Sequence, residues 1–76
     1  MAMAKARLKS GNFSEAVLMY TKAIENNGSG EEYYLRAVAY SKMKDHKKMG
    51  EDLEAAAALG HSRAKEALGK MTAAGG

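Results

Sequence analysis

The chain has 76 residues, a formal net charge of +3, no proline, no tryptophan and no cysteine. Its length suits one small domain with one modest core. The lack of cysteine excludes a disulfide framework and a cysteine-based metal site, and a mild positive excess spread among charges of both signs does not by itself point to nucleic acid.

Helix formers dominate and β-branched residues are few, so an all-α fold is expected. Glycines and capping residues divide the chain into five helical segments. The first runs from about Ala2 to Ser10 and stops at Gly11. The second has Ser14 as its expected N-cap, carries Ala16, Val17, Tyr20, Ala23 and Ile24 at one-turn spacing, and stops at Asn26-Asn27-Gly28. The third opens at Ser29-Gly30-Glu31-Glu32, where Ser29 and Glu32 have capping-box spacing, and bears a stripe of Tyr33, Ala37, Tyr40 and Met43. The fourth is capped near Asp45 and runs to Leu59 before Gly60. The fifth is expected to be capped by Ser62, carries Ala64, Ala67, Leu68 and Met71, and gives way to a frayed tail from about Thr72 to Gly76. Links of only a few residues imply antiparallel neighbours, hence two helical hairpins and a closing helix.

Displaced by 33 residues, the sequence partly repeats itself: Ala4 falls on Ala37, Ala6 on Ala39, Lys9 on Lys42, Ala23 on Ala56, Ser29 on Ser62 and Leu35 on Leu68. Asn12 with Asp45, Phe13 with His46 and Tyr20 with Leu53 are similar pairs. Small residues recur where helices approach, large ones where a gap needs filling, and caps where helices begin. Two helices per such period indicate a helical solenoid.

Gly11-Asn12-Phe13-Ser14-Glu15-Ala16-Val17, followed by Tyr20, Lys22, Ala23 and Ile24, resembles the second half of a tetratricopeptide repeat. Tyr33 to Asp45 resembles the first half of the next. The resemblance implies one domain over residues 1–76: a first repeat at about 1–28, a second at about 30–60, a capping helix at about 62–72 and a tail at 73–76. The hairpins would form a right-handed α-α superhelix. The chain departs from the family at Met49, where a small alanine is usual, and Gly50 is expected to make room for it. Residues Gly60 to Ala64 are also similar to the related Sel1-type repeats.

The first helices of such hairpins line a concave groove. Carried over, that surface comprises Lys5, Leu8 and Lys9 from the first hairpin, Tyr34, Leu35, Val38, Ser41 and Lys42 from the second, and Lys65 or Leu68 from the closing helix. Apolar patches would seat side chains and lysines would meet carboxylates, which suits an acidic peptide or helix of a partner protein. A chaperone-type carboxylate clamp is disfavoured: its asparagine positions fall on Lys5 and Leu35, and its arginine position falls near Gly69. The resemblance also implies a structural ion pair between Arg36 and Asp52, for which a guanidinium is well suited. His46 is expected to pack or cap, His61 lies in a turn, and two histidines without fixed carboxylate partners make no metal site. No nucleophile with its base and no phosphate-cradling loop is present, so neither catalysis nor a cofactor is expected.

The expected function is therefore protein–protein interaction through the groove. Self-association into a homo-oligomer, or membership of a larger repeat protein, is the alternative within binding, because repeat stacks generally need about three units. A basic RNA-binding helical domain, drawing on Lys42, Lys44, Lys47 and Lys48, is the runner-up of another class. Asp45, Glu51 and Asp52 dilute that cluster. No apolar run approaches membrane-spanning length, and the stretch from Met1 to Arg7 lacks the apolar segment of a secretory signal. Membrane insertion is thus not expected, and the cytoplasm is the expected location.

Overall fold

The computed structural model describes the backbone of residues 11–75 and the side chains of residues 11–70. The described residues form four α-helices and no strand: α1 (Phe13–Asn27), α2 (Gly30–Lys42), α3 (His46–Ala58) and α4 (Ser62–Gly75). The helix expected at about Ala2 to Ser10 lies outside the described residues. Each helix packs chiefly against its neighbours in sequence.

Local chemistry sets most boundaries. Gly11 takes a left-handed φ of +88°, which leaves Asn12 as the N-cap and Phe13 as the first helical residue. The N-cap expected at Ser14 is thereby corrected: the reversal at Gly11 starts the helix earlier, and Ser14 lies inside its first turn. Glu32 accepts a hydrogen bond from the Ser29 backbone N–H at 2.8 Å at the start of α2, one arm of the capping box. Asp45 caps α3, its Oδ1 accepting from the Lys48 N–H at 3.3 Å.

Two helices end in the same hydrogen-bonded turn. At the end of α2, Lys44 N–H donates to Ser41 O and Asp45 N–H to Tyr40 O; at the end of α3, Gly60 N–H donates to Ala57 O and His61 N–H to Ala56 O. Both are Schellman turns, which place one residue in the left-handed region. Gly60 occupies that place at φ +89°, whereas Lys44 occupies it at φ +62° despite its Cβ.

The N-cap of α4 is His61 rather than the expected Ser62. The His61 Nδ1 accepts from the Ala64 N–H at 3.3 Å, and its carbonyl accepts from Lys65 N–H at 3.1 Å. The turn at Gly60 delivers the chain one residue earlier than a serine signal suggests. The tail expected from Thr72 is also corrected, since α4 continues to Gly75; Ala73 and Ala74 favour helix and no proline interrupts it. The helices α1 and α3 begin at Phe13 and His46, the same 33-residue step that separates the left-handed Gly11 and Lys44.

The core has two parts. Ala16 and Tyr20 of α1 and Ala39 of α2 are fully buried together, with Val17, Met19 and Leu35 around them. Ala37 of α2, Leu53 and Ala56 of α3 and Ala64 of α4 form the second cluster. Ala37 and Ala39 are two residues apart, which places them on opposing faces of one helix. That is why α2 is the central element, with α1 on one side and α3 on the other. Alanine at these contacts lets the helix axes approach closely, and burying a side chain such as Leu53 contributes roughly 1.5–3 kcal/mol. Arg36 ties the layers together: it makes a two-point contact with Asp52 of α3 and donates to Thr21 Oγ1 of α1 at 3.0 Å.

Candidate functional site

Helices α2 and α4 both lean on α3, and their N-terminal ends are joined through His61. Its ring stacks on Tyr34, with centroids 4.6 Å apart and planes 16° from parallel. Because Nδ1 accepts from the backbone, the ring proton sits on Nε2, which donates to Glu31 Oε1 at 2.9 Å. Gly30, the first residue of α2, permits this close approach: a Cβ there would lie 3.2 Å from the His61 Cβ.

A cleft of about 270 Å³ opens beside this junction. Tyr34, Val38, Ser41 and Lys42 form its α2 wall, Met49 and Leu53 of α3 its floor, and Ala67 of α4 the opposite side. Tyr34, Val38, Ser41 and Lys42 fall within an arc of about 100° around the helix axis and therefore share a face. The surface is mostly apolar. Its polar groups are the Tyr34 and Ser41 hydroxyls and the Lys42 ammonium, and Lys42 makes no ion pair among the described residues. Among the described residues no carboxylate lines the cleft. It therefore offers an apolar recess with one cation at the end nearest the α2–α3 turn.

The expected groove residues divide into four groups. Tyr34, Val38, Ser41 and Lys42 meet at the cleft. Leu35 instead packs against Ala16, Tyr20 and Ala39, because it lies about 100° around the helix from Tyr34 and so faces α1. Lys65 is exposed on α4 and does not line the cleft, while Leu68 packs against the second core cluster. Lys5, Leu8 and Lys9 lie outside the described residues. Sequence reasoning missed Met49 and Leu53 as the floor and Ala67 as the facing wall. The one signal was Met49 itself, larger than the alanine that the tetratricopeptide resemblance leads one to expect there. It is half-buried beside the cleft, and α3 runs unbroken through Gly50.

The other three tyrosine rings are engaged within the fold. The Arg36 guanidinium carbon lies 5.6 Å from the Tyr33 ring centroid and 6.0 Å from that of Tyr40, over which Lys48 also sits at 5.7 Å. Tyr20 is fully buried, and its hydroxyl has no hydrogen-bond partner among the described residues. Burial, and secondarily the negative charge of Glu31, push its pKa above the ordinary phenol value. Among the described residues no group of three or more histidine or acidic side chains is placed to hold a metal ion, and no helix is long and apolar enough to cross a membrane. Comparison with family models, with curated proteins and with solved structures finds no match to this chain.

Proposed function

We propose that this chain is a helical-repeat binding module of tetratricopeptide type, which holds a segment of a partner protein in the cleft between α2 and α4 and performs no catalysis. The observation that carries the reading is the convergence of Tyr34, Val38, Ser41 and Lys42 on one open, largely apolar recess floored by Met49 and Leu53. The 33-residue step relating α1 to α3 supports the repeat assignment.

The recess volume, about 270 Å³, is below the roughly 300–1,000 Å³ of small-molecule pockets. It is somewhat under twice the roughly 150 Å³ cavity that accepts a benzene ring. A single large side chain fits such a space better than a cofactor does. The RNA reading receives less support, because Tyr33, Tyr34 and Tyr40 already stack with or lie under internal partners rather than offering free rings to bases. Self-association gains little from the exposed apolar residues Leu18, Met43 and Leu59, which sit on α1, in the α2–α3 turn and past the end of α3. Scattered exposure of this kind is ordinary for soluble proteins.

The test is selection of binders from a random peptide library, followed by titration of the recovered peptides onto the wild type and Ala67→Phe. The added ring fills the recess from α4, and circular dichroism verifies that the helices persist. Binding should weaken by about tenfold or more in the variant, equivalent to roughly 1.4 kcal/mol. Equal affinity for both proteins would sink the cleft reading.

A further inference from the structure

The cleft is not symmetric along its length. At one end lies Tyr34, whose ring stacks on His61, itself bonded to Glu31. The other end lies at the α2–α3 turn, where Lys42, Lys44, Lys47 and Lys48 cluster. The one acid in that turn, Asp45, is committed to capping α3. Within the cluster only Lys42 lines the recess.

Val38 and Lys42 are four residues apart on α2, so their Cα atoms are separated by about 6 Å along the axis. In an extended chain, side chains two residues apart point to the same face, spaced by about 6.5 Å, whereas adjacent ones point to opposite faces. An extended segment lying along α2 thus presents alternate side chains in register with Val38 and Lys42. A helical occupant fits less well, since a helix is about 10 Å across and the recess holds only about 270 Å³.

We infer that the cleft takes an extended acidic peptide, in which an apolar side chain fills the space over Met49 and Leu53 and a carboxylate two residues away meets Lys42. This rests on the cleft reading above and adds the chemistry and spacing of the occupant. The neighbouring lysines attract the acidic segment over distance, and Lys42 alone fixes its register.

The test uses the full chain and fluorescently labelled synthetic peptides in a Gly/Ser background, titrated by anisotropy at about 0.15 M salt. The peptides carry Leu-x-Glu, adjacent Leu-Glu, Leu-x-Lys or Ala-x-Glu. Wild type should bind Leu-x-Glu about three- to fivefold more tightly than Leu-Glu or Leu-x-Lys, the scale of one exposed ion pair. Ala-x-Glu should bind more weakly still, having no anchor. Lys42→Glu should invert the order and prefer Leu-x-Lys, while Lys47→Glu, in the same basic corner but outside the recess, should keep the wild-type order. Wild type binding Leu-Glu as well as Leu-x-Glu, or Lys47→Glu inverting the order as fully as Lys42→Glu, overturns the register while leaving the cleft reading standing. If Leu-x-Glu binds the Ala67→Phe variant as well as the wild type, or no peptide binds saturably, both fall.

Discussion

The Arg36 guanidinium meets the Asp52 carboxylate fork to fork, with Nε 2.8 Å from Oδ2 and Nη2 2.7 Å from Oδ1. The side chains are only 17% and 7% exposed, so the pair is largely removed from water. With Nη1 on Thr21, one side chain joins α1, α2 and α3. Removing one partner leaves an uncompensated charge in a poorly solvated place, which typically costs about 3–5 kcal/mol. For a chain of this size that is a large part of a total stability of roughly 4–11 kcal/mol. Asp52→Ala is therefore expected to lower the stability measured by urea unfolding by about 3 kcal/mol. Arg36→Lys should recover only part of the pairing, because an ammonium cannot make the two-point contact or reach Thr21 simultaneously.

Lys44 and Gly60 perform the same backbone task with different side chains. A left-handed residue other than glycine costs about 1–2 kcal/mol, offset partly by glycine's greater freedom in the unfolded chain. Lys44→Gly should thus stabilise the protein by about 0.5–1 kcal/mol, and Gly60→Ala should destabilise it by about 1 kcal/mol. Thermal unfolding of both variants checks the pair, and the same sign for both would contradict the shared turn geometry.

Tyr20 buries a hydroxyl that has no partner among the described residues. At neutral pH, Tyr20→Phe should stabilise the fold by about 1 kcal/mol by removing that desolvated group. Tyrosine in the unfolded chain ionises near pH 10, while burial holds the Tyr20 proton to higher pH in the folded state. Above about pH 10 the unfolded state therefore binds fewer protons, so wild-type stability falls as pH rises. The phenylalanine variant lacks this loss. Its advantage should widen on the alkaline side in paired urea titrations, with the other tyrosines cancelling between the two proteins.

His61 caps α4 through Nδ1, and Ser62 does not. His61→Ala should cost about 1–2 kcal/mol, of which His61→Asn, whose side-chain oxygen can replace the Nδ1 acceptor, should recover about 1 kcal/mol. Ser62→Ala should change stability by less than about 0.5 kcal/mol. A larger loss at Ser62 than at His61, measured by chemical denaturation, would return the cap to the serine.

Much of this architecture is legible as local chemistry. The stops at Gly28 and Gly60, the Ser29–Glu32 arrangement and the Asp45 cap depend on residues within a few positions of one another, so the sequence by itself determined an all-helical chain and roughly where its helices break. The left-handed Lys44 was not legible, because the requirement comes from the turn's hydrogen bonds and no glycine marks it. Nor was His61 legible as a cap, since its ring is held there by Tyr34 and Glu31, far back along the chain. The candidate site divides in the same way. The family resemblance placed Tyr34, Leu35, Val38, Ser41 and Lys42 on one surface, but the tertiary structure decided that Leu35 turns to α1 and that Met49, Leu53 and Ala67 complete the recess. A helix repeats its faces every 3.6 residues whatever lies opposite, so sequence defines the stripes. Which stripe is buried and which stays open is decided only when α1, α3 and α4 pack around α2.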